Sequence, residues 1–334
     1  MSQMSLEKKI TRREFVKDLA TSVAVVGFWP FFAHAATGNK AKPFIKWVGG
    51  KGQLLEQLSA LLPKDIGERK NLTYVEPFVG GGAMLFYMLG TYPNIKRAII
   101  NDFNPDLTNV YRVIRDKPED LIVALERYRE QYGQLDAEEE RKEFYLAERD
   151  KYNLNGQSDV DRAASFIFLN RTCFNGLYRV NTKGEFNVPF GKAKNPLICD
   201  RETILNDSQL LQKVEILTGD FSDVAQKIRS KAFFYFDPPY RPLTKTAAFT
   251  AYQKEGFNDE AQKRLAEFCR ELDAAGHQFL LSNSDPHNSD PNDNFFDDLY
   301  VGFDINRVQA ARAINSKADG RGKISEIAIR NYKE

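Results

Sequence analysis

Ala232-Phe233-Phe234-Tyr235-Phe236-Asp237-Pro238-Pro239-Tyr240 is the stretch that decides how this chain folds. Its opening run of apolar and aromatic residues reads as a strand buried on both faces, the mark of a central parallel strand in an α/β sheet. The polar tetrapeptide then lies beyond the strand's carboxyl end, where open α/β sheets hold their ligands. Two consecutive prolines fix φ and supply no N–H, so the carbonyls of Asp237 and Pro238 can be held as rigid acceptors aimed at one point. An amino group presented there meets two acceptors and the aromatic face of Tyr240.

Toward the N-terminus the pattern repeats. Tyr74-Val75-Glu76-Pro77-Phe78 reads as a short buried strand, and Val79-Gly80-Gly81-Gly82-Ala83 as a loop into an apolar helix from Met84 to Leu89. A glycine loop alone also marks turns that bind nothing. Here a second strand, Arg97 to Asp102, ends in an acid 20 residues beyond Gly82. At that separation a carboxylate at the next strand's tip meets the ribose hydroxyls of a nucleoside lying over the turn, so Phe78, Gly80, Gly82 and Asp102 are candidate contacts to a nucleoside cofactor. Before this unit, Pro43 to Lys51 opens the folded part, and Leu54, Leu55, Leu58, Leu61 and Leu62 trace a helix that Pro63 stops. Lys51 thus sits just before a helix, although Gly49-Gly50-Lys51 also reads as a plain tight turn.

The middle of the chain differs in kind. From Pro105 to about Glu148 it is helical and highly charged, and the acidic run Asp136, Glu138, Glu139, Glu140 reads as a solvated helix face. An apolar helix spans Ala163 to Asn170. Beyond it, Asn-Gly and Lys-Gly turns between short extended pieces up to Lys192 predict a hairpin-bearing insert. Residues 162–194 carry Arg162, Arg171, Arg179, Lys183, Lys192 and Lys194 against the single acid Glu185, with aromatics between them. Such a segment suits base stacking and phosphate pairing, and it equally suits a cationic surface loop.

Composition bounds the rest. In 334 residues, 47 Lys+Arg balance 46 Asp+Glu and 42% are hydrophobic, which excludes intrinsic disorder and a diffuse polyanion-binding surface. Any nucleic-acid contact must come from a local basic cluster. Cys173, Cys199 and Cys269 lie far apart without ligand spacing, and 3 His leave little for a metal site, so reduced thiols and no metal are expected. No apolar stretch is long enough for a membrane span, and no stable membrane association is expected. The first 36 residues stand apart: Thr11-Arg12-Arg13-Glu14-Phe15-Val16-Lys17 is like a twin-arginine export signal, and Leu19 to Phe32 leads to the A-x-A string Ala33-His34-Ala35. They read as a leader or an N-terminal extension.

These strings together resemble the Dam-type (D12 class) DNA adenine-N6 methyltransferases over residues about 42–332. The resemblance rests on K-W-V-G-G-K from Lys46, E-P-F-V-G-G-G from Glu76, N-D-F-N from Asn101, N-R-T-C-F-N-G-L-Y-R from Asn170, G-E-F-N-V-P-F-G from Gly184, D-P-P-Y from Asp237, F-T-A-Y from Phe249 and L-S-N from Leu281. It implies a Rossmann-like S-adenosylmethionine-dependent methyltransferase fold with a helical and hairpin DNA-recognition insert. The implied cofactor is S-adenosylmethionine, contacted by Trp47, Lys51, Asp102 and Asp237, with Asp220 and Phe221 near its adenine. It also implies double-stranded DNA as partner, with Arg179 reading a guanine, Leu177 and Pro189 near the outer base pair, and Phe174 and Asn175 at the gap left by a flipped adenine. Arg171 and Lys192 join the expected DNA contacts, and the suggested target is GATC. Ala193, where relatives often carry an aromatic, is a departure, and so is the leader.

The expected chemistry is direct transfer of the sulfonium methyl to adenine N6, with Asp237, Pro238, Pro239 and Tyr240 as the catalytic set. The adenine amine is a poor nucleophile because its lone pair is conjugated with the ring, and accepting both hydrogens favours a pyramidal nitrogen. The expected organisation is a leader over 1–36, a catalytic domain over 42–106 and 212–332, and a target-recognition domain over 107–211. The expected place of action is the cytoplasm, with export judged incompatible with a DNA substrate, and a cognate restriction endonuclease is left open as a partner. Competing readings are a methyltransferase for an RNA base or a protein glutamine, and an exported binding protein. The segment Asn170 to Gly191 argues against the former.

Overall fold

The structure is a computed structural model that describes residues 41–47, 51–154, 156–241, 257–310 and 324–333. The expected leader over 1–36, Val48-Gly49-Gly50 and the F-T-A-Y string at 249–252 lie outside the described residues.

Every residue of β1 (Leu72–Glu76) and β4 (Ala232–Phe236) is buried. The remaining strands are β2 (Ile95–Asp102), β3 (Val214–Thr218), β5 (Gln278–Ser284), β6 (Asp304–Ala310) and β7 (Ile324–Arg330). All seven form one sheet in the order β3-β2-β1-β4-β5-β7-β6. β1 to β5 run parallel, while β7 pairs antiparallel with both β5 and β6. This is the expected Rossmann-like α/β sheet. Successive side chains of a strand point to opposite faces. Accordingly Tyr74, Phe233 and Tyr235 join one hydrophobic core, and Val75, Phe234 and Phe236 join the other.

The strand order reverses between β1 and β4, which opens a crevice at their carboxyl ends. Thr73, Tyr74 and Val75 pair with Ala232, Phe233 and Phe234. The glycine loop after β1 and Asp237 after β4 therefore emerge side by side, from positions far apart in the chain.

Helices cover the sheet and form the insert. α1 (Leu55–Ser59) follows a 3₁₀ turn at Lys51–Gln53, and α2 (Ala83–Thr91) follows the glycine loop. The charged stretch is three helices: α3 (Pro105–Asp116), α4 (Pro118–Gly133) and α5 (Glu138–Tyr152). Asn104 caps α3 by accepting from the Asp106 and Leu107 N–H groups, and Pro105 supplies the preset φ of a first helical residue. α6 (Asp159–Thr172) and α7 (Arg201–Leu211) complete the insert, and α8 (Asp259–Ala274) and α9 (Phe295–Leu299) follow β4 and β5. α3 packs on β2 and β3 as well as on α6 and α7, so a single core runs from one sheet face into the insert.

The hairpin forms around Lys183-Gly184, with Val180 bridged to Phe186 and Cys173 to Phe190. Asn175-Gly176 instead lies in a 3₁₀ turn. Cys173, Cys199 and Cys269 are all buried as free thiols. No helix among the described residues is long and apolar enough to cross a membrane. Nor do the described residues hold a group of three or more His, Cys, Asp or Glu placed for a metal ion.

Candidate active site

A cleft opens at the reversal point, lined by Trp47, Lys51, Glu76, Phe78, the loop from Val79 to Met84, Tyr235 and Asp237. The glycines are needed for shape. Gly80 and Gly82 have φ of +47° and +74°, and a Cβ on either would sit 2.9 Å from the Trp47 ring or 2.5 Å from the Tyr111 hydroxyl. Tyr111 donates to the Gly80 carbonyl at 2.9 Å, which fixes the loop from below.

Asp102 at the tip of β2 is placed as expected, but its carboxylate also holds the protein together. Gly80 N donates to its Oδ2 at 3.0 Å and Asn104 N to its Oδ1 at 2.9 Å. Burial pushes this carboxyl up while those two N–H groups pull it down. A carboxylate accepts about four hydrogen bonds, so capacity for ribose hydroxyls remains. The Phe78 ring lies 5.4 Å from Phe221 and 5.3 Å from Phe257, an apolar wall to which the sequence reading contributed only the first two. Asp220 accepts from Ser222 N and Oγ and pairs with Arg264 at 2.5 Å. Although burial pushes its carboxyl up, these donors hold it below the ordinary range.

At the end of β4 the charges concentrate. Lys51, 4% exposed, places Nζ 2.9 Å from Asp237 Oδ1 and 3.4 Å from Glu326 Oε2. It also donates to the Tyr240 hydroxyl, which in turn donates to Glu326. Its Nζ lies 4.1 Å from the Tyr240 ring centroid, at the hydroxyl edge of the ring. Ser282, of the L-S-N string, donates to Asp237 Oδ1 at 3.1 Å. Burial raises the Asp237 carboxyl against the pull of Lys51, and Glu326 raises it further. Glu76 is buried at the end of β1, accepts from the Tyr74 hydroxyl at 2.7 Å, and is held well above the ordinary carboxylate range by desolvation. Two carboxyls, Asp237 and Glu326, thus share the Lys51 ammonium at the mouth of the cleft, while Glu76 stands close by as a buried acid that desolvation keeps protonated.

The expected DNA contacts separate into groups. Phe174 is half exposed, Asn175 has φ of +58°, and Phe174 N donates to the Pro189 carbonyl at 2.8 Å, so these three share one surface turn. Leu177 is partly buried against the core. Arg179 is partly buried, its Nε donating to Asn187 Oδ1 at 2.7 Å and its Nη2 to Asn187 O at 2.9 Å, which braces the hairpin. Lys192 is exposed and paired with Glu138 at 2.7 Å, a surface ion pair on a helix end whose Glu138, Glu139 and Glu140 are exposed as expected. Arg171 is placed elsewhere: its guanidinium turns inward and donates to the Phe44 carbonyl at 2.6 Å.

The two regions are joined. Asn170 Oδ1 accepts from Lys46 N at 2.9 Å, and its Nδ2 donates to Lys46 O at 2.8 Å and Gly176 O at 2.9 Å. Trp47 stacks on Tyr178 at 5.9 Å with an interplanar angle of 26°. Glu76, Phe257, Glu326 and Gln262, whose amide donates to the Pro239 carbonyl at 3.1 Å, are site residues that the sequence reading did not single out. For Glu76 there was a signal, an acid inside a buried strand directly before proline.

The family described as D12 class N6 adenine-specific DNA methyltransferase matches residues 47–314. The Type II methyltransferase M.MjaIII of Methanocaldococcus jannaschii is 50% identical over 296 residues, covering 88% of this chain and 100% of the relative. The Type II methyltransferase M1.LlaDCHI of Lactococcus lactis subsp. cremoris is 41% identical over 297 residues, covering 87% and 95%. The DNA adenine methylase of Escherichia coli is 33% identical over 289 residues, covering 86% and 95%.

Proposed function

The chain belongs to the D12 class of N6 adenine-specific DNA methyltransferases, and from that premise we propose that it methylates a flipped adenine of double-stranded DNA in the crevice between β1 and β4. Its methyl donor is S-adenosylmethionine. The residues fit that group: glycines whose backbone alone fits under Trp47, a carboxylate at the β2 tip, and an excess of carboxyls where a cation would lie.

The cofactor supplies a sulfonium methyl, and the C–S bonding pair stays on sulfur when the adenine nitrogen takes that methyl. In this reading the Asp237 side-chain carboxylate, in place of the main-chain carbonyl expected from the sequence, and the Pro238 carbonyl accept the two hydrogens of N6, so the lone pair is freed from the ring. Once the new N–C bond has formed, one of those protons passes to the Asp237 carboxylate and from it to water. Tyr240 stacks on the base. Flipping costs a few kcal/mol of stacking and pairing, which contacts around Phe174 and Asn175 offset by filling the gap. Trp47, Lys51, Phe78, Gly80, Gly82, Asp102, Asp220 and Phe221 hold the cofactor. Arg179, with Leu177 and Pro189, reads the site, for which we infer GATC, and Lys192 meets phosphate after leaving Glu138. Residues 42–106 and 212–332 act as the catalytic unit and 107–211 as the recognition unit. The enzyme works in the cytoplasm, where its substrate is. Two relatives are named Type II methyltransferases, which supports a restriction endonuclease as its counterpart.

The observation that carries this reading is the Lys51 ammonium 2.9 Å from Asp237 Oδ1 beside the glycine loop, which shows the carboxylate receiving an N–H donor at the cleft. The test is incubation of the protein with labelled S-adenosylmethionine and unmethylated DNA, followed by mapping of the modified bases. Label at adenine N6 within GATC is the expected result. Label at other sequences sinks the assignment of the target, and label on no base sinks the whole reading.

A further inference from the structure

The Asp237–Tyr240 loop has an unusual weakness. Pro238 and Pro239 carry no N–H, so the loop cannot be tied down through its own amide donors at those positions. The Asp237 and Tyr240 side chains are tied to Lys51, Ser282 and Glu326, and the backbone between them is held through its carbonyls. At the strand end Ser282 Oγ shares its one hydrogen between Asp237 Oδ1 at 3.1 Å and the Phe236 carbonyl at 3.3 Å. At the far end of the proline pair, Gln262 Nε2 donates to the Pro239 carbonyl at 3.1 Å.

Gln262 is fully buried on α8, and Asn283 is fully buried near the end of β5. Asn283 Nδ2 donates to Gln262 Oε1 at 3.2 Å, and Asn283 Oδ1 accepts from Ser284 N at 2.8 Å. The polarity of this chain is fixed at both ends. A backbone N–H can only donate and a proline carbonyl can only accept, so each amide between them has one permitted orientation. Asn283, in the L-S-N string, orients Gln262, and Gln262 aims its N–H at the loop.

We propose that Gln262 is a positioning residue for methyl transfer, which sets the place of the Asp237 and Pro238 acceptors by fixing the Pro239 carbonyl through a relay that begins at Asn283. The proposal rests on the reading of Asp237–Tyr240 as the amine site. A displacement of about 1 Å in a reacting group can lower a rate by about 100-fold. Gln262→Met removes both the donor and the acceptor of the relay. Gln262→Glu keeps the shape but, when ionised, offers an oxygen to the Pro239 carbonyl in place of an N–H. When protonated it donates again and still accepts from Asn283.

Single-turnover methyl transfer from labelled S-adenosylmethionine to an unmethylated GATC duplex tests this, with cofactor and DNA affinities and thermal unfolding measured on the same proteins. Gln262→Met should lose about 100-fold in the transfer rate with both affinities kept. Gln262→Glu should be similarly slow at alkaline pH and regain rate as the pH falls, in contrast to the wild type. Wild-type rates for both variants at alkaline pH would overturn the proposal. So would a Gln262→Glu rate that, relative to the wild type at the same pH, stays low at every pH in a folded protein, or a rate loss matched by an equal loss of cofactor affinity. Asp237→Ala run in parallel separates the two readings: if it too keeps turnover, the amine site itself has been misplaced.

Discussion

Replacing Lys51 with methionine removes the ammonium that Asp237 and Glu326 share while keeping most of the side-chain volume. Breaking a buried ion pair from one side costs about 3–5 kcal/mol because the partner charge is left without compensation. Asp237 and Glu326 keep 21% and 16% of their side chains exposed, so water screens part of the loss. The lower end, about 3 kcal/mol, is therefore the expected penalty on the ionised form. The Asp237 carboxyl is already raised by burial, and Lys51 is the main influence holding it down. Without Lys51 the carboxyl rises further, and the ionised acceptor appears only at higher pH. Since 1.36 kcal/mol corresponds to one pH unit, a penalty of about 3 kcal/mol should move the acid limb of the single-turnover profile up by about two units. Lys51→Arg, which keeps a cation, should leave the limb near its original place. The assay is rapid-quench methyl transfer at saturating cofactor across the pH range, with affinity measured separately because Lys51 also lines the cleft. An acid limb that stays in place in a folded, cofactor-bound Lys51→Met protein would refute the argument that this ammonium sets the charge state of Asp237.

Asp102→Ala should weaken S-adenosylmethionine binding and also lower stability by about 1–3 kcal/mol, since the Gly80 and Asn104 N–H groups lose their acceptor. Calorimetric titration with unchanged affinity would leave Asp102 a purely structural brace. Arg179→Ala should lose about 1–3 kcal/mol of discrimination at one base pair, read by competition between GATC and single-base variants. A loss shared by every sequence would instead mark the Asn187 contacts as its whole role. Asp207 is buried with Oδ2 unpartnered, and desolvation holds its carboxyl well above the ordinary range. A carboxyl raised in the folded state gives stability that is complete below its unfolded value of about 3.9 and is lost as pH rises through its folded value. Asp207→Asn should therefore gain melting temperature relative to the wild type as pH rises, and a difference independent of pH would count against it.

The sheet could be read from sequence because β4 is a continuous apolar and aromatic run stopped by Asp237-Pro238, and β1 is followed by Pro77 and the glycine loop, a pattern with few alternative explanations. Asp102 and Asp237 were found the same way, as acids at strand tips. Direction and partners were harder to read. Arg171 and Arg179 are the same residue type in one basic segment, yet one guanidinium turns into the protein and the other braces a hairpin. Nothing local distinguishes them. Lys192 looked free because its partner Glu138 lies in a distant helix. Gln262 sits among Asp259, Glu260, Lys263 and Arg264 on a charged helix, where a buried amide looks like a surface one. Glu326 lies on β7, and only the antiparallel pairing of β7 with β5 brings it to Lys51.

Trp47 is one of two tryptophans in the chain, the other being Trp29. It lies against Gly80 and Gly81 on one side and stacks on Tyr178 on another. Its indole is therefore a built-in optical probe at the junction of the two binding regions. In a Trp29→Phe protein all tryptophan emission would come from this one ring. A change in its intensity or wavelength would then follow the filling of the cleft and the docking of the hairpin without any attached dye, so the order of the two events could be timed in a stopped-flow instrument.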